Sequence, residues 1–64
     1  MENFTQKEIE VLKYVCKGYT NEAIAQKLFV SIHTVKAHIA SLLRKTGATN
    51  RTELVFLAAK SNWV

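Results

Sequence analysis

Proline and aspartate are absent from this chain of 64 residues, cysteine occurs once, and glycine occurs twice, at positions 18 and 47. With no proline and so little glycine there is no flexible linker, low-complexity run or repeat, which favours helices joined by brief connections. A single cysteine excludes an internal disulfide and cannot alone build a zinc site, so Cys16 reads as a small core hydrophobe. His33 and His38 fall on different arcs of one predicted helix, so no i, i+4 metal pair forms and no metal is expected. No Ser-His-acid set, glycine-rich phosphate loop or paired-carboxylate site is visible. An enzyme is therefore not expected, and no cofactor is expected either. The longest wholly apolar run, Leu54 to Ala59, is far short of a membrane span. The opening MENFTQKE has no apolar signal region, so a cytoplasmic protein is expected.

What is present is consistent with one small domain over residues 1–64. A chain of this size buries only about 60% of its unfolded surface, so its stability is modest and a second chain would help. The charge is unevenly placed. Residues 1–30 carry four lysines and four glutamates, whereas residues 31–64 carry Lys36, Arg44, Lys45, Arg51 and Lys60 against Glu53 alone. The whole net charge of +4 thus lies in the second half, which suits a polyanionic partner.

Hydrophobic periodicity and capping residues predict an all-α, compact four-helix bundle with helices over about 6–17, 21–28, 32–46 and 51–61. In the first, Thr5 and Glu8 form a capping box, with Phe4 and Ile9 as its hydrophobic staple. Ile9, Leu12, Val15 and Cys16 share one face, Val11 sits at its edge, and Gly18 supplies a left-handed stop. Thr20 caps the second helix, whose apolar positions are Ile24, Ala25 and Leu28. Phe29 and Val30 end it and are expected to anchor the turn in the core.

Ser31 caps the third helix. Ile32, Val35, Ile39, Leu42 and Leu43 form its buried stripe, and His33, Ala37, Ala40, Ser41 and Arg44 lie opposite. Lys36, Thr34 and His38 flank the stripe, and Lys45 suits the negative end of the helix dipole. Asn50 caps the fourth helix, with Glu53 completing a second box. Leu54, Leu57 and Ala58 form one stripe there. Val55, Phe56 and Ala59 form another, a candidate contact with a second copy. Glu8 has a further choice of partner across the bundle, Arg44 or Arg51, which spacing does not decide. Residues 20–44 therefore read as a helix-turn-helix with a small and basic outward face, the geometry that braces one helix against the DNA major groove.

The segments Phe4 to Leu12, Gly18 to Ala25, Leu28 to Ser31, Thr34 to His38 and Asn50 to Glu53, in this order and spacing, resemble the LuxR-type (LuxR/FixJ/GerE-like) helix-turn-helix domain. The resemblance covers residues 4 to about 60. It implies a transcriptional regulator that binds double-stranded DNA as a homodimer on an inverted repeat, with the third helix for recognition and the fourth for the dimer contact. It implies that Lys36, Ala37 and Ala40 face base edges and that Thr20, Ser31, Thr34 and Lys36 sit near phosphates; His38 and Arg44 join this phosphate set from their place on the helix. RNA polymerase is a further expected partner, and a receiver or sensor domain is expected upstream. Position 40 often carries a longer polar or basic side chain in this pattern. Alanine at both 37 and 40 favours packing against thymine methyls, with DNA shape or water supplying part of the specificity. Two other classes compete: a protein-interaction module using the apolar face of the fourth helix, and a structural homodimer with no DNA role.

Overall fold

Three hydroxyls and one amide set where the helices begin. The side chains of Thr5, Thr20, Ser31 and Asn50 accept hydrogen bonds from the N–H groups of Glu8, Ala23, Thr34 and Glu53. Each satisfies one of the donors that a helix start leaves without a partner. The computed structural model describes residues 3–63, and these caps open α1 (Gln6–Cys16), α2 (Asn21–Leu28), α3 (Ile32–Thr46) and α4 (Arg51–Lys60). The fold is all-α, a four-helix bundle as predicted, with the first and last helices each stopping one residue earlier than expected. No helix among the described residues is long and apolar enough to cross a membrane.

The stops differ in chemistry. Gly18, at φ +87°, follows α1 in a Schellman arrangement. Tyr19 N–H donates to Tyr14 carbonyl and Gly18 N–H to Val15 carbonyl, at 3.1 and 3.0 Å. The Tyr14 and Tyr19 rings pack 5.0 Å apart beneath it, the apolar contact that usually accompanies this motif. Gly47, at φ +76°, closes α3. The stop of α2 has no glycine: Phe29 itself adopts φ +57°, a left-handed conformation that costs an L-residue about 1–2 kcal/mol.

One apolar core joins all four helices, built from residues such as Val11, Leu12, Ile24, Val35, Leu42 and Leu54. Full burial of side chains this size contributes roughly 1.5–3 kcal/mol each. Several expected faces are rotated. The α1 stripe centres on Val11, Leu12 and Val15 and includes Glu8, while Ile9 and Cys16 are only half-buried. Glu8 can turn inward because its carboxylate finds partners there. Ile32 is 39% exposed because the first turn of α3 projects past the core, and Leu43 is half-buried. The expectation that Phe29 anchors the turn is wrong: its ring is 94% exposed. The left-handed backbone turns that side chain outward and leaves Val30 to pack on the core. The second capping box is shifted by one residue, since the Glu53 carboxylate accepts from the N–H and hydroxyl of Thr49 rather than from Asn50.

Candidate nucleic-acid interface

Helix α3 turns about 100° per residue, which sorts its polar side chains into two arcs on either side of the core stripe Val35, Ile39 and Leu42. One arc holds Lys36, Ala40, His33, Arg44 and Ala37, and every one of them is exposed. No other described element lies over these five. The other arc holds Thr34, His38, Ser41 and Lys45 and leans toward α1. Thr34, His38 and Ser41 are half-buried there.

Spacing alone puts Ser41 on the outward face, and the structure corrects this. Ser41 Oγ donates to Glu8 Oε2 at 2.5 Å, and Lys45 Nζ donates to Glu8 Oε1 at 2.7 Å. Lys45 also donates to the Asn3 carbonyl at 2.8 Å. Neither candidate arginine reaches Glu8. Arg44 stays exposed on the outer arc, whereas Arg51 donates to Asn21 Oδ1 at 2.6 Å and to the Tyr19 carbonyl at 2.5 Å, tying the start of α4 to the start of α2. Burial pushes the Glu8 carboxyl up. Hydrogen bonds from Lys45, Ser41 and the Thr5 N–H, with the Lys45 charge, outweigh burial and hold it at about 2, below its ordinary 4.5. Sequence reasoning misses this cluster because Ser41 and Lys45 look like surface residues. The signal available in sequence is their spacing of one helical turn on the flank nearest the inward Glu8.

The starts of α2 and α3 carry further hydroxyl groups. Thr20 Oγ1 accepts the Ala23 N–H at 3.1 Å, which leaves its own O–H free to donate. Ser31 Oγ accepts the Thr34 N–H at 3.0 Å and shares a second bond with Thr34 Oγ1 at 3.0 Å. Of those two hydroxyl hydrogens one is used between them and one remains. First-turn N–H groups and spare hydroxyl donors at a helix start make an anion-binding end. Thus Lys36, Ala37, Ala40 and Arg44 are brought together on one accessible face, Thr20, Ser31 and Thr34 belong to the capped ends, and His38 stands farther round toward α1.

On α4, Leu54 and Ala58 are buried, while Leu57 and Val55 are half-buried and packed on the core. Phe56, 61% exposed, and Ala59 face solvent, with Lys60 Nζ 5.9 Å from the Phe56 ring centre. The apolar surface left over on α4 is therefore narrower than predicted, with Val55 at its edge. No group of three or more metal-ligating side chains occurs among the described residues.

Comparison with known proteins gives the family. The family model for bacterial regulatory proteins of the luxR family matches residues 2–58. The chain is 46% identical over 63 residues to the uncharacterized transcriptional regulatory protein YxjL of Bacillus subtilis, covering 98% of this chain and 29% of YxjL. It is 45% identical over 56 residues to the oxygen regulatory protein NreC of Staphylococcus aureus, covering 88% of this chain and 26% of NreC. The crystal structure of the response regulator ChrA, from a heme-sensing two-component system, superposes with a TM-score of 0.92 at 33% identity, over 100% of this chain and 32% of ChrA. The chain thus spans under a third of the length of these relatives. With the helix-turn-helix in place and the family model matched across nearly all of it, the chain belongs to the luxR family of bacterial transcriptional regulators.

Proposed function

We propose that this chain, acting as one domain over residues 1–64, binds double-stranded DNA sequence-specifically and regulates transcription, with α3 in the major groove. The exposed arc of α3 carries this reading: Lys36, Ala37, Ala40 and Arg44 share one unobstructed face. Ala37 and Ala40 are small enough to bring the helix axis close to base edges and to meet thymine methyls. Lys36 flanks them and reaches either a phosphate or a guanine edge. Thr20, Ser31 and Thr34, at the capped ends, suit phosphates on the groove walls, joined by Arg44 from the far end of α3 and His38 from its flank.

A two-fold contact through Phe56 and Ala59, with Val55 at its rim, would cover the exposed apolar surface of α4. It would also place two recognition helices on one side of the duplex, so the operator should be an inverted repeat. One short helix offers well under the roughly 800 Å² per partner of a standard interface, so the pair forms on DNA rather than before it. Selection of bound sequences from random duplex DNA tests the whole reading. An enriched motif with two-fold symmetry is expected, and a pool that stays random would overturn it. Phe56→Glu with Ala59→Glu should abolish cooperativity on full sites while half-site affinity and folding survive. Wild-type binding equally tight on half and full sites would rule out the pair.

A further inference from the structure

The Glu8 cluster does more than the capping box requires. Glu8 as a residue is 3% exposed, and its carboxylate lies between the start of α1 and the second half of α3. Oε1 accepts from the Thr5 N–H at 2.9 Å and from Lys45 Nζ at 2.7 Å, and Oε2 accepts from Ser41 Oγ at 2.5 Å. Ser41 and Lys45 are one turn apart on α3, so a single carboxylate grips that helix at two points. The apolar contacts beneath, through Val35, Ile39 and Leu42, set which face α3 buries but supply no directional bond. Charge-assisted hydrogen bonds are directional and short. A third of the Lys45 side chain is exposed, and an ion pair with one partner in solvent adds little net stability, so its presence here points to geometry rather than strength.

We propose that Glu8 is a positioning residue for DNA recognition. Through Ser41 and Lys45 it fixes the rotation of α3, and so the direction in which Lys36, Ala37 and Ala40 face. Readout of base edges depends on placement to about 0.5 Å, whereas non-specific attraction to phosphates does not. Loosening the clamp should therefore cost sequence discrimination before it costs affinity for DNA in general. The inference rests on the DNA-binding reading above.

The test uses Glu8→Gln, Ser41→Ala, Lys45→Met and Lys45→Arg in the full chain. Glutamine still caps α1 but loses the charge. Alanine removes one arm of the clamp and is a stronger helix former than serine. Affinity for the selected duplex and for a scrambled duplex is measured at one salt concentration, at a temperature where circular dichroism shows wild-type helicity. Ser41→Ala should lose about tenfold in specific affinity, the size of one spoiled base contact, with binding to scrambled DNA unchanged. Lys45→Arg should lie closer to wild type than Lys45→Met. If Glu8→Gln fails to fold, Ser41→Ala decides the matter. Folded variants with the wild-type ratio of specific to scrambled affinity would overturn the positioning role and leave the DNA reading intact. A wild-type chain that does not distinguish the two duplexes would overturn both.

Discussion

On the outer side of α3, Lys36 and Arg44 stand in solvent with two alanines between them. On the side facing α1, Lys45 and Ser41 are held by one buried carboxylate. Each arc carries a lysine and a histidine, and what separates the two lysines is the residue across the gap. The uneven charge of the sequence acquires a direction from this. Lys45 stays exposed but its charge is paired with Glu8, so the basic side chains left without an acidic partner among the described residues of α3 are Lys36 and Arg44, beside Ala37 and Ala40. A count of positive residues gives the sign of a partner, and the pairing across the bundle shows which basic side chains of α3 remain available to it.

Adding negative charge to the outer arc should have the largest effect. Ala37→Glu and Ala40→Glu each set a carboxylate against the groove floor on a side chain with no part in the core. Specific binding should fall to the non-specific level, a loss of about a thousandfold or more, while helicity and Tm stay at wild-type values. A gel-shift titration beside a thermal melt checks both. A large loss of Tm would mean that the two alanines face the core.

Breaking the inner arc should cost stability as well as recognition. Glu8→Ala removes the partner of Lys45, the acceptor of Ser41 and half of the capping box, for a loss of roughly 1.5–3 kcal/mol in urea unfolding. The same contact gives a pH signature. The folded carboxyl is held at about 2, below its ordinary 4.5, so the unfolded chain takes up a proton first as pH falls. The stabilisation is complete above the unfolded value and drains away between about 4.5 and 2. Acid titration of stability should show this loss in the wild-type chain and much less of it in Glu8→Gln. Equal acid sensitivity in the two would place the loss elsewhere.

The smallest effect tests the turn that leads into the outer arc. Phe29 is almost wholly exposed in a left-handed conformation, so Phe29→Gly relieves strain and removes little packing. It should stabilise the chain by up to about 1 kcal/mol, the strain relieved less the extra freedom of the unfolded glycine. Destabilisation on urea titration would show that the ring packs on the protein in solution.

Helix starts are legible in the sequence because a cap is a local device: Thr5, Thr20, Ser31 and Asn50 each act on a donor three residues away. The outer arc is legible because spacing alone sets Ala37 and Ala40 opposite Val35, Ile39 and Leu42. The errors come from contacts that local pattern does not contain. Ser41 reads as outward because nothing nearby in sequence shows that Glu8, on another helix, will meet it. Phe29 reads as inward because hydrophobicity favours burial, whereas the stop of α2 demands a positive φ that swings its side chain out. Val55 looks free because its helix is apolar nearly all round, and only the packing reveals which stripes the core covers.

The salt dependence of binding compares the two arcs most directly. Wild type, Lys36→Ala and Lys45→Met are titrated against the same selected duplex over a series of salt concentrations. Removing a lysine that neutralises one phosphate lowers the log-log slope by about one. A lysine on the outer arc that meets a phosphate must register in this way, and one consumed by Glu8 must not. Should Lys36 read a guanine instead, its removal appears as relaxed preference at one base position, at a cost of about 1–3 kcal/mol. The account predicts a changed slope or a relaxed position for Lys36→Ala and an unchanged slope for Lys45→Met. A lowered slope for Lys45→Met, with Lys36→Ala indistinguishable from wild type in both slope and preference, would contradict it.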